Sequence, residues 1–196
     1  MPDFRGIIIL SPRDRERERE ADMKGPGKPG FAEKQMKLEK YQEADETLYS
    51  RLVFNRETMN MNYGRIFTEE ESKLLFQVML DINASESKLG FYKVFISHEN
   101  KDTFIGMGAL TLNAEYDAIE IEYMLLPPYW NHGYGSELVG TLIQMATDTH
   151  VSPVLIALTD PSNLYSKRIL WKYGFTLEKQ YLNDDGDPVE LYRRGI

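Results

Sequence analysis

The most informative stretch of the chain reads Trp130-Asn131-His132-Gly133-Tyr134-Gly135-Ser136-Glu137, between an apolar run and an amphipathic one. Its two glycines, one residue apart, allow a tight turn that exposes backbone N–H groups. The start of the following helix adds N–H donors and the positive end of the helix dipole. Together these features predict a cradle for a phosphate or pyrophosphate. An ordinary tight turn can have the same glycine spacing, so the flanking sequence must distinguish a phosphate-binding loop from such a turn.

Downstream, the sequence predicts two helices and three strands. The helix from Gly135 to Thr149 turns an apolar face inward, and an apolar strand follows from Val154 to Leu158. The next helix, Asn163 to Tyr173, ends at Gly174, which suits a left-handed cap. The inward residues of the first helix are Leu138, Val139, Leu142, Ile143 and Ala146, and the last two strands are Phe175 to Leu182 and Pro188 to Arg193.

Upstream, the pattern predicts strands joined by turns, preceded by two helices. Thr68 and Glu71 form a capping box that opens the second helix. The mixture predicts an α+β fold with a mixed, mostly antiparallel sheet and helices on both faces. The predicted elements are a strand at Met36 to Tyr41, a helix at Glu43 to Phe54, a helix carrying Leu74, Leu75, Val78 and Met79 at helical spacing, and strands at Phe91 to Ser97, Phe104 to Asn113 and Ala118 to Leu126.

Composition excludes several classes of function. The chain has 196 residues, 42% hydrophobic and 28% charged, which is typical of one globular domain. It has no cysteine, so disulfides, a cysteine nucleophile and thiolate metal sites are excluded. The three histidines lack metal-ligand spacing, and we predict no metal. A net charge of −8 argues against nucleic-acid or membrane partners and suits an amine substrate.

Residues 1–35 differ in composition from the rest. Arginine alternates with acidic residues from Asp14 to Glu20, and a run of glycine and proline follows from Gly25 to Gly30. Such a stretch predicts an arm or linker, with Gly6 to Leu10 as an added edge strand, or else an expression leader. The folded domain is expected at residues 36–196. No apolar run reaches the ~20 residues of a membrane helix, so a cytoplasmic location is the default expectation.

The loop and its flanks resemble the acetyl-coenzyme A (acetyl-CoA) signature of the GNAT superfamily of N-acetyltransferases. That signature is Arg or Gln, two residues, Gly, one residue, then Gly or Ala; Gly133 and Gly135 take the small positions. Trp130 departs from this signature. The sequence from Glu120 to Glu137, however, resembles the ribosomal-protein-alanine acetyltransferase branch, in which tryptophan is common at that position. The same branch's downstream pattern is matched by Asn163, Ser166, Arg168, Gly174 and Phe175. The resemblance covers roughly Met36 to Tyr192.

This resemblance implies a GNAT-like acyl-CoA N-acyltransferase fold with acetyl-CoA as cosubstrate. It implies a bulge in the strand before the loop, where a backbone N–H at Leu125 or Leu126 polarises the thioester carbonyl. One such donor is worth ~10²–10³ in rate. Asn163 is implied as a contact to the pantetheine arm, and it also suits a helix N-cap. The phosphate contacts are implied at Asn131, His132, Gly133, Tyr134, Gly135 and Ser136.

Glu120 and Glu122 are the candidate general bases. On a strand they share one face, while Ile119, Ile121 and Tyr123 share the other. A solvated strand face would have the same pattern. Glu120 takes the position that is usually glutamate in the resembling branch, and we therefore predict that it is the base.

Ser166 is the candidate general acid. Much of the superfamily has a tyrosine at the position that aligns with Leu170, which has no proton to give. Ser166 is the branch's alternative, and Tyr165 is adjacent but not aligned. A helix serine that bonds its own backbone is the structural alternative.

The predicted function is acetyl transfer to a primary amine, on a protein N-terminus or a small molecule. Acetylation of an aminoglycoside or polyamine and non-catalytic acyl-CoA binding stay open as alternatives. A dinucleotide fold is disfavoured because it needs three glycines and an acidic residue ~20 positions on. Asn55 to Asn62 and Tyr63 to Arg65 are candidates for the acceptor border, since they link the two early helices. The sequence identifies neither the acceptor amine nor the oligomeric state, for which a homodimer is one option.

Overall fold

The computed structural model describes residues 35–99, 101–184 and 186–196. The arm predicted for residues 1–35 lies outside the described residues, apart from Gln35. Short 3-10 turns at Glu43–Asp45 and Pro127–Tyr129 accompany the main elements. In chain order these are β1 Gln35–Lys40, α1 Glu46–Val53, α2 Arg56–Tyr63, α3 Glu69–Asn83, β2 Gly90–His98, β3 Lys101–Asn113, β4 Ala118–Leu125, α4 Tyr134–Thr147, β5 Val154–Thr159, α5 Leu164–Lys172, β6 Thr176–Leu182 and β7 Pro188–Gly195.

The seven strands found in the described ranges form one sheet in the order β1-β2-β3-β4-β5-β7-β6. Neighbouring strands are antiparallel except β4 and β5, which are parallel. The prediction of a mixed, mostly antiparallel sheet is therefore confirmed. A parallel pair cannot be joined by a tight hairpin, and α4 supplies the crossover.

The ladder between β4 and β5 is very short. β4 forms eight residue pairs with β3, but only Ile119 with Leu155 and Glu120 with Ile156 are paired across to β5. Beyond Glu120 the two strands diverge. The sheet therefore contains a gap alongside the second half of β4, between β4 and β5.

Helices cover both faces of the sheet, and each face has its own apolar core. One core lies under α4 and α5 and includes Ile119, Ile121, Leu142 and Phe175, all of them buried. The other lies under α1, α2 and α3 and includes Tyr49, Leu52, Met59, Phe76 and Met124. β4 contributes side chains to both cores because successive residues of a strand point to opposite faces.

Local signals predicted two helix ends and one buried helix face. The hydroxyl of Thr68 accepts the Glu71 N–H and the Glu71 carboxylate accepts the Thr68 N–H, so the capping box is confirmed. Gly174 ends α5 with φ +79°, as predicted. The five inward residues predicted for α4 are all buried.

Two expectations about the early helices were incomplete. The linking segment from Asn55 contains helix α2, whose first turn is capped by the Asn55 side chain. On α3, Leu74, Leu75 and Val78 are exposed, and only Met79 of that predicted stripe is buried, together with Phe76 and Ser72. The helix was predicted correctly, but its buried face is rotated relative to the apolar spacing. No helix in the described ranges is long and apolar enough to cross a membrane.

Candidate active site at the gap between two strands

The backbone of β4 presents N–H groups to the gap. The Leu126 N–H donates to the Ile105 carbonyl on β3 at 2.8 Å. Because peptide directions alternate along a strand, Tyr123 and Leu125 then direct their peptide groups away from β3, toward the gap. Of the two residues implied for the carbonyl contact, Leu125 is placed for it, whereas the Leu126 N–H is engaged. The implied bulge is not seen, since the β3–β4 register is regular through Leu125.

Trp130 ties the glycine loop to the end of β4. Its indole Nε1 donates to the Leu125 carbonyl at 2.7 Å. Asn131 and Gly133 both have positive φ, at 59° and 84°, which turns the chain sharply into α4. Asparagine tolerates this conformation better than most residues, and glycine adopts it without strain. The tryptophan that departs from the usual motif therefore anchors the loop rather than contributing a cationic or amide side chain.

The two loop glycines have different roles. A Cβ on Gly133 would meet no atom within 4 Å, so Gly133 is needed for its backbone conformation. A Cβ on Gly135 would lie 3.1 Å from Cδ1 of Ile169, so Gly135 is needed for the close approach of α4 to α5. The N–H groups of Gly135 and Ser136 belong to the first turn of α4, where the helix itself offers no acceptor. They are the donors that the predicted cradle requires.

A cation completes the loop end of the site. Lys172, at the last turn of α5, donates to the Ser136 hydroxyl at 2.8 Å, and the neighbouring Tyr173 hydroxyl donates to the Ser136 carbonyl at 2.7 Å. A positive side chain beside a helix N-terminus favours a bound anion. No sequence signal indicates Lys172, because 36 positions of the chain separate it from Ser136. The His132 ring is exposed and stacks on the Tyr134 ring.

The other end of α5 reaches the acyl end of the gap. Asn163 is buried and caps α5, accepting the Ser166 N–H at 3.0 Å and donating to the Met61 carbonyl on α2 at 3.3 Å. Its amide therefore has a structural role whether or not it also contacts a ligand. The Ser166 hydroxyl shares a hydrogen bond of 2.9 Å with the Tyr123 hydroxyl.

Tyr123 was not among the sequence candidates. Strand alternation placed it opposite the two glutamates, and the structure shows that this opposite face is where α5 lies. Burial raises the pKa of Tyr123 to about 12, an effect that the hydrogen bond to Ser166 opposes. The phenol therefore keeps its proton across the whole physiological range.

A cavity of about 380 Å³ opens at the gap. It is lined by Glu120, Glu122 and Met124 from one face of β4 and by Tyr123 from the other, together with Ser166. Residues from both faces of a sheet can border one cavity only where the sheet is open. The segment from Met61 to Arg65 also lines it. Of the two linking segments predicted to border the acceptor site, Tyr63 to Arg65 lies at this cavity in full and Asn55 to Asn62 only through its last two residues.

The cavity is acidic. Its lining contains four carboxylates, on Glu120, Glu122, Asp160 and Asp187. Among the described residues that line it, Arg65 is the one cationic side chain, and it forms a two-point ion pair with Glu71. A cavity of this charge favours a cationic ligand over an anionic one.

The two glutamates on β4 differ in their surroundings. The Glu120 carboxylate accepts a hydrogen bond of 2.8 Å from Asn113, which opposes the rise in pKa that its burial causes. Burial, and then the charge of Glu120, raise the pKa of Glu122 to about 7. A carboxyl group with a pKa near neutrality can both take up and release a proton under physiological conditions.

The chain matches the family described as the acetyltransferase (GNAT) domain over residues 35–176. It belongs to the GNAT acetyltransferase family. The resemblance seen in the sequence is thereby confirmed, and as a member of that family the protein is an N-acetyltransferase. A curated relative, the uncharacterized N-acetyltransferase YoaA of Bacillus subtilis, is 21% identical over 140 residues, which are 70% of this chain and 79% of that protein.

Solved structures of GNAT enzymes share the fold. An acetyltransferase from Salmonella typhimurium that modifies the N-terminal serine of ribosomal protein L7/L12 superposes with a TM-score of 0.66 at 19% identity, covering 82% of this chain and 95% of that one. Spermidine N-acetyltransferase from Vibrio cholerae, in complex with CoA and spermine, gives a TM-score of 0.66 at 14% identity, covering 82% and 95%. Identities this low establish the fold alone.

The residues of this GNAT chain fit acetyl-CoA as a cosubstrate. The N–H groups of the glycine loop, with Lys172, suit the pyrophosphate, and the Leu125 N–H in the gap suits the thioester carbonyl. Ser166 at the acyl end and Lys172 at the phosphate end are six positions apart on α5, about 9 Å along the helix axis. Among the described residues, no three His, Asp or Glu side chains are grouped as a metal site.

Proposed function

We propose that this GNAT enzyme transfers the acetyl group of acetyl-CoA to a primary amine by direct attack. The observation that supports it is the gap beside β4, which joins a phosphate cradle to an acidic cavity. The Leu125 N–H, the Ser166 and Tyr123 hydroxyls and two carboxylates all face this gap or the cavity at its end. They are the groups that aminolysis of a thioester requires.

The chemistry assigns a task to each group. The amine nitrogen forms a bond to the carbonyl carbon, the carbon–sulfur bond breaks, and the negative charge passes from the carbonyl oxygen to the sulfur. The Leu125 N–H stabilises the oxygen. A carboxylate of the Glu120 and Glu122 pair takes the proton that the amine must lose. The Ser166 hydroxyl, hydrogen-bonded to Tyr123, gives a proton to the departing sulfur and regains one from solvent through the open cavity.

The acidic cavity suits an acceptor that arrives as a cation. A primary amine is mostly protonated at neutral pH, and the cavity carboxylates stabilise this form before one of them removes the proton. A protein N-terminus and a small amine both meet this requirement. The experiment must therefore offer both.

The test has a binding part and a reaction part. Acetyl-CoA or CoA at a hundredfold excess over its dissociation constant is expected to stabilise the protein by about 2.7 kcal/mol, with NAD and ATP far less effective. Thiol release from acetyl-CoA is then measured with N-terminal peptides, polyamines and aminoglycosides. Equal stabilisation by all nucleotides contradicts the cosubstrate. Stabilisation by CoA without thiol release for any amine would indicate a non-catalytic acyl-CoA-binding protein.

A further inference from the structure

We infer that Glu122 is the general base of the transfer and that Glu120 is a positioning residue that acts through Glu122. The inference rests on the proposed function. It reverses the order implied by the family resemblance, which favours Glu120. Three features of the structure support it: the location of each residue along β4, the partners of each carboxylate and the charges around them.

Glu122 lies in the open half of β4, whereas Glu120 lies in the closed half. The β4–β5 ladder ends with the pair Glu120 and Ile156, so the backbone of Glu120 is still enclosed by both neighbouring strands. At about 3.3 Å per residue, Glu122 is about 10 Å along the strand from Leu125, and Glu120 about 17 Å. A general base must come within hydrogen-bond reach of the amine directly or through one water. Glu122 meets this condition more readily.

Among the described residues, the Glu120 carboxylate has a hydrogen-bond partner and the Glu122 carboxylate has none. Asn113 on β3 holds the Glu120 carboxylate at 2.8 Å. The residue paired with Glu122 on β3 is Ala109, whose methyl side chain cannot form a hydrogen bond with the Glu122 carboxylate. Within the described ranges, no side chain forms a hydrogen bond or ion pair with Glu122, although it is partly buried and lines the cavity. A strand carboxylate with no structural partner is costly to the fold, which indicates a role outside stability.

Burial and the charged groups that face Glu122 raise the pKa of its carboxyl group. Glu120 lies on its own strand, Tyr49 approaches from α1 and Tyr63 from α2, and both hydroxyls are close enough to interact with the Glu122 charge. The rest of the cavity wall contributes Asp160, Asp187, Tyr181 and the ion-paired Arg65. Burial is the first cause of the near-neutral pKa of Glu122, and the charge of Glu120 is the second.

The proton balance is simple. An ammonium nitrogen loses two protons in becoming an amide. One passes to solvent, and Glu122 in its ionised form takes the other and becomes neutral. It returns that proton to solvent through the open cavity after the amide has left. Removing the charge of Glu120 must lower the pKa of Glu122, because like-charge repulsion disfavours the ionised form. The rate should then reach its plateau at lower pH.

The experiment is the pH dependence of kcat/KM for Glu122→Gln, Glu120→Gln and a control, Glu86→Gln, on an exposed loop. With an acceptor found active in the amine panel, wild type is expected to gain rate through an acid limb near pH 7. Glu122→Gln should lose about 100-fold or more and lose the limb. Glu120→Gln should lose less than tenfold at pH 8, with the limb moved to lower pH. The control should match wild type.

CoA affinity, measured by calorimetry, should be unchanged in all three variants, and circular dichroism should confirm that each is folded. Near-normal kcat/KM for Glu122→Gln would overturn the inference, as would a Glu120→Gln loss equal to or greater than that of Glu122→Gln. Should Glu122→Gln misfold, Glu122→Asp takes its place. The shorter carboxylate should retain the acid limb at a reduced plateau, and an unchanged plateau would overturn the inference. An inactive wild-type protein would instead refute the proposed function.

Discussion

The proposed site has a phosphate end at the glycine loop and an acceptor end at the cavity, and the two ends are constructed differently. At the phosphate end, most donors are backbone N–H groups of consecutive residues, held by the turn at Gly133 and by the Trp130 anchor. At the acceptor end, the cavity is lined by side chains from β4, from α5 and from the segment after α2. A backbone-built site tolerates changes of side chain as long as its conformation is kept. A side-chain-built site depends on the identity of each residue, and this is where one acetyltransferase can differ from another.

The largest effect is expected from a change that spoils the backbone geometry of the phosphate end. In Gly135→Val the new Cβ lies 3.1 Å from Cδ1 of Ile169, and the branched side chain crowds both this contact and the approach to the cradle N–H groups. A hydrogen bond to a charged group is worth about 1.5–3 kcal/mol, so misplacing one or two cradle donors should lower CoA affinity about 100-fold in calorimetry. Adding Ile169→Ala should recover part of it. Full CoA affinity in the single variant would show that the helix contact does not position the cradle.

A smaller effect is expected at the acyl end, and in kcat rather than in affinity. Ser166→Ala removes the donor to the departing sulfur and should lower kcat about 100-fold. Tyr123→Phe removes only the partner of Ser166 and should lower it about tenfold, the worth of one hydrogen bond. The double variant should be no slower than Ser166→Ala, because the phenol acts through the serine. Additive losses in steady-state kinetics would mean that Tyr123 acts independently.

The smallest effect is expected at Lys172. Its side chain is exposed, and a cation at a helix terminus is worth less than about 1 kcal/mol under such conditions. Lys172→Met should therefore weaken CoA binding only about two- to fivefold, and the difference should vanish at 1 M salt. Lys88→Met, which removes an exposed ion pair with Asp148, is the matched control. A loss that persists in high salt would argue for a contact other than charge.

The sequence predicted the parts of the molecule that depend on nearby residues. The capping box at Thr68, the left-handed end at Gly174 and the glycine loop are all local, and the structure contains each of them. Helix α2 was missed although Asn55 and Gly64 mark its two ends. The segment between them has no clear apolar stripe, so periodicity gave no signal there.

The acceptor end was harder to predict because it depends on contacts between distant segments. Tyr123 and Ser166 are 43 residues apart, and Asn163 reaches Met61 across 102 residues. No pattern within one strand reveals that its neighbour diverges after two pairs. The prediction of Glu120 as the base rests on family position, which carries no information about Asn113, and it stays a prediction. The apolar spacing on α3 likewise could not show which face the rest of the fold would cover.

The short ladder between β4 and β5 also has a mechanical meaning. With only two residue pairs across that boundary, the sheet behaves as a four-stranded and a three-stranded section joined at one corner. The angle between the sections is then fixed by packing, since Ile121 of one and Ala157 of the other share a core with Leu142 of α4. The width of the gap between β4 and β5 is accordingly set by the volume of the side chains in that core. Apolar side chains of this core thus act as spacers that set how far apart the two sections of the sheet are held.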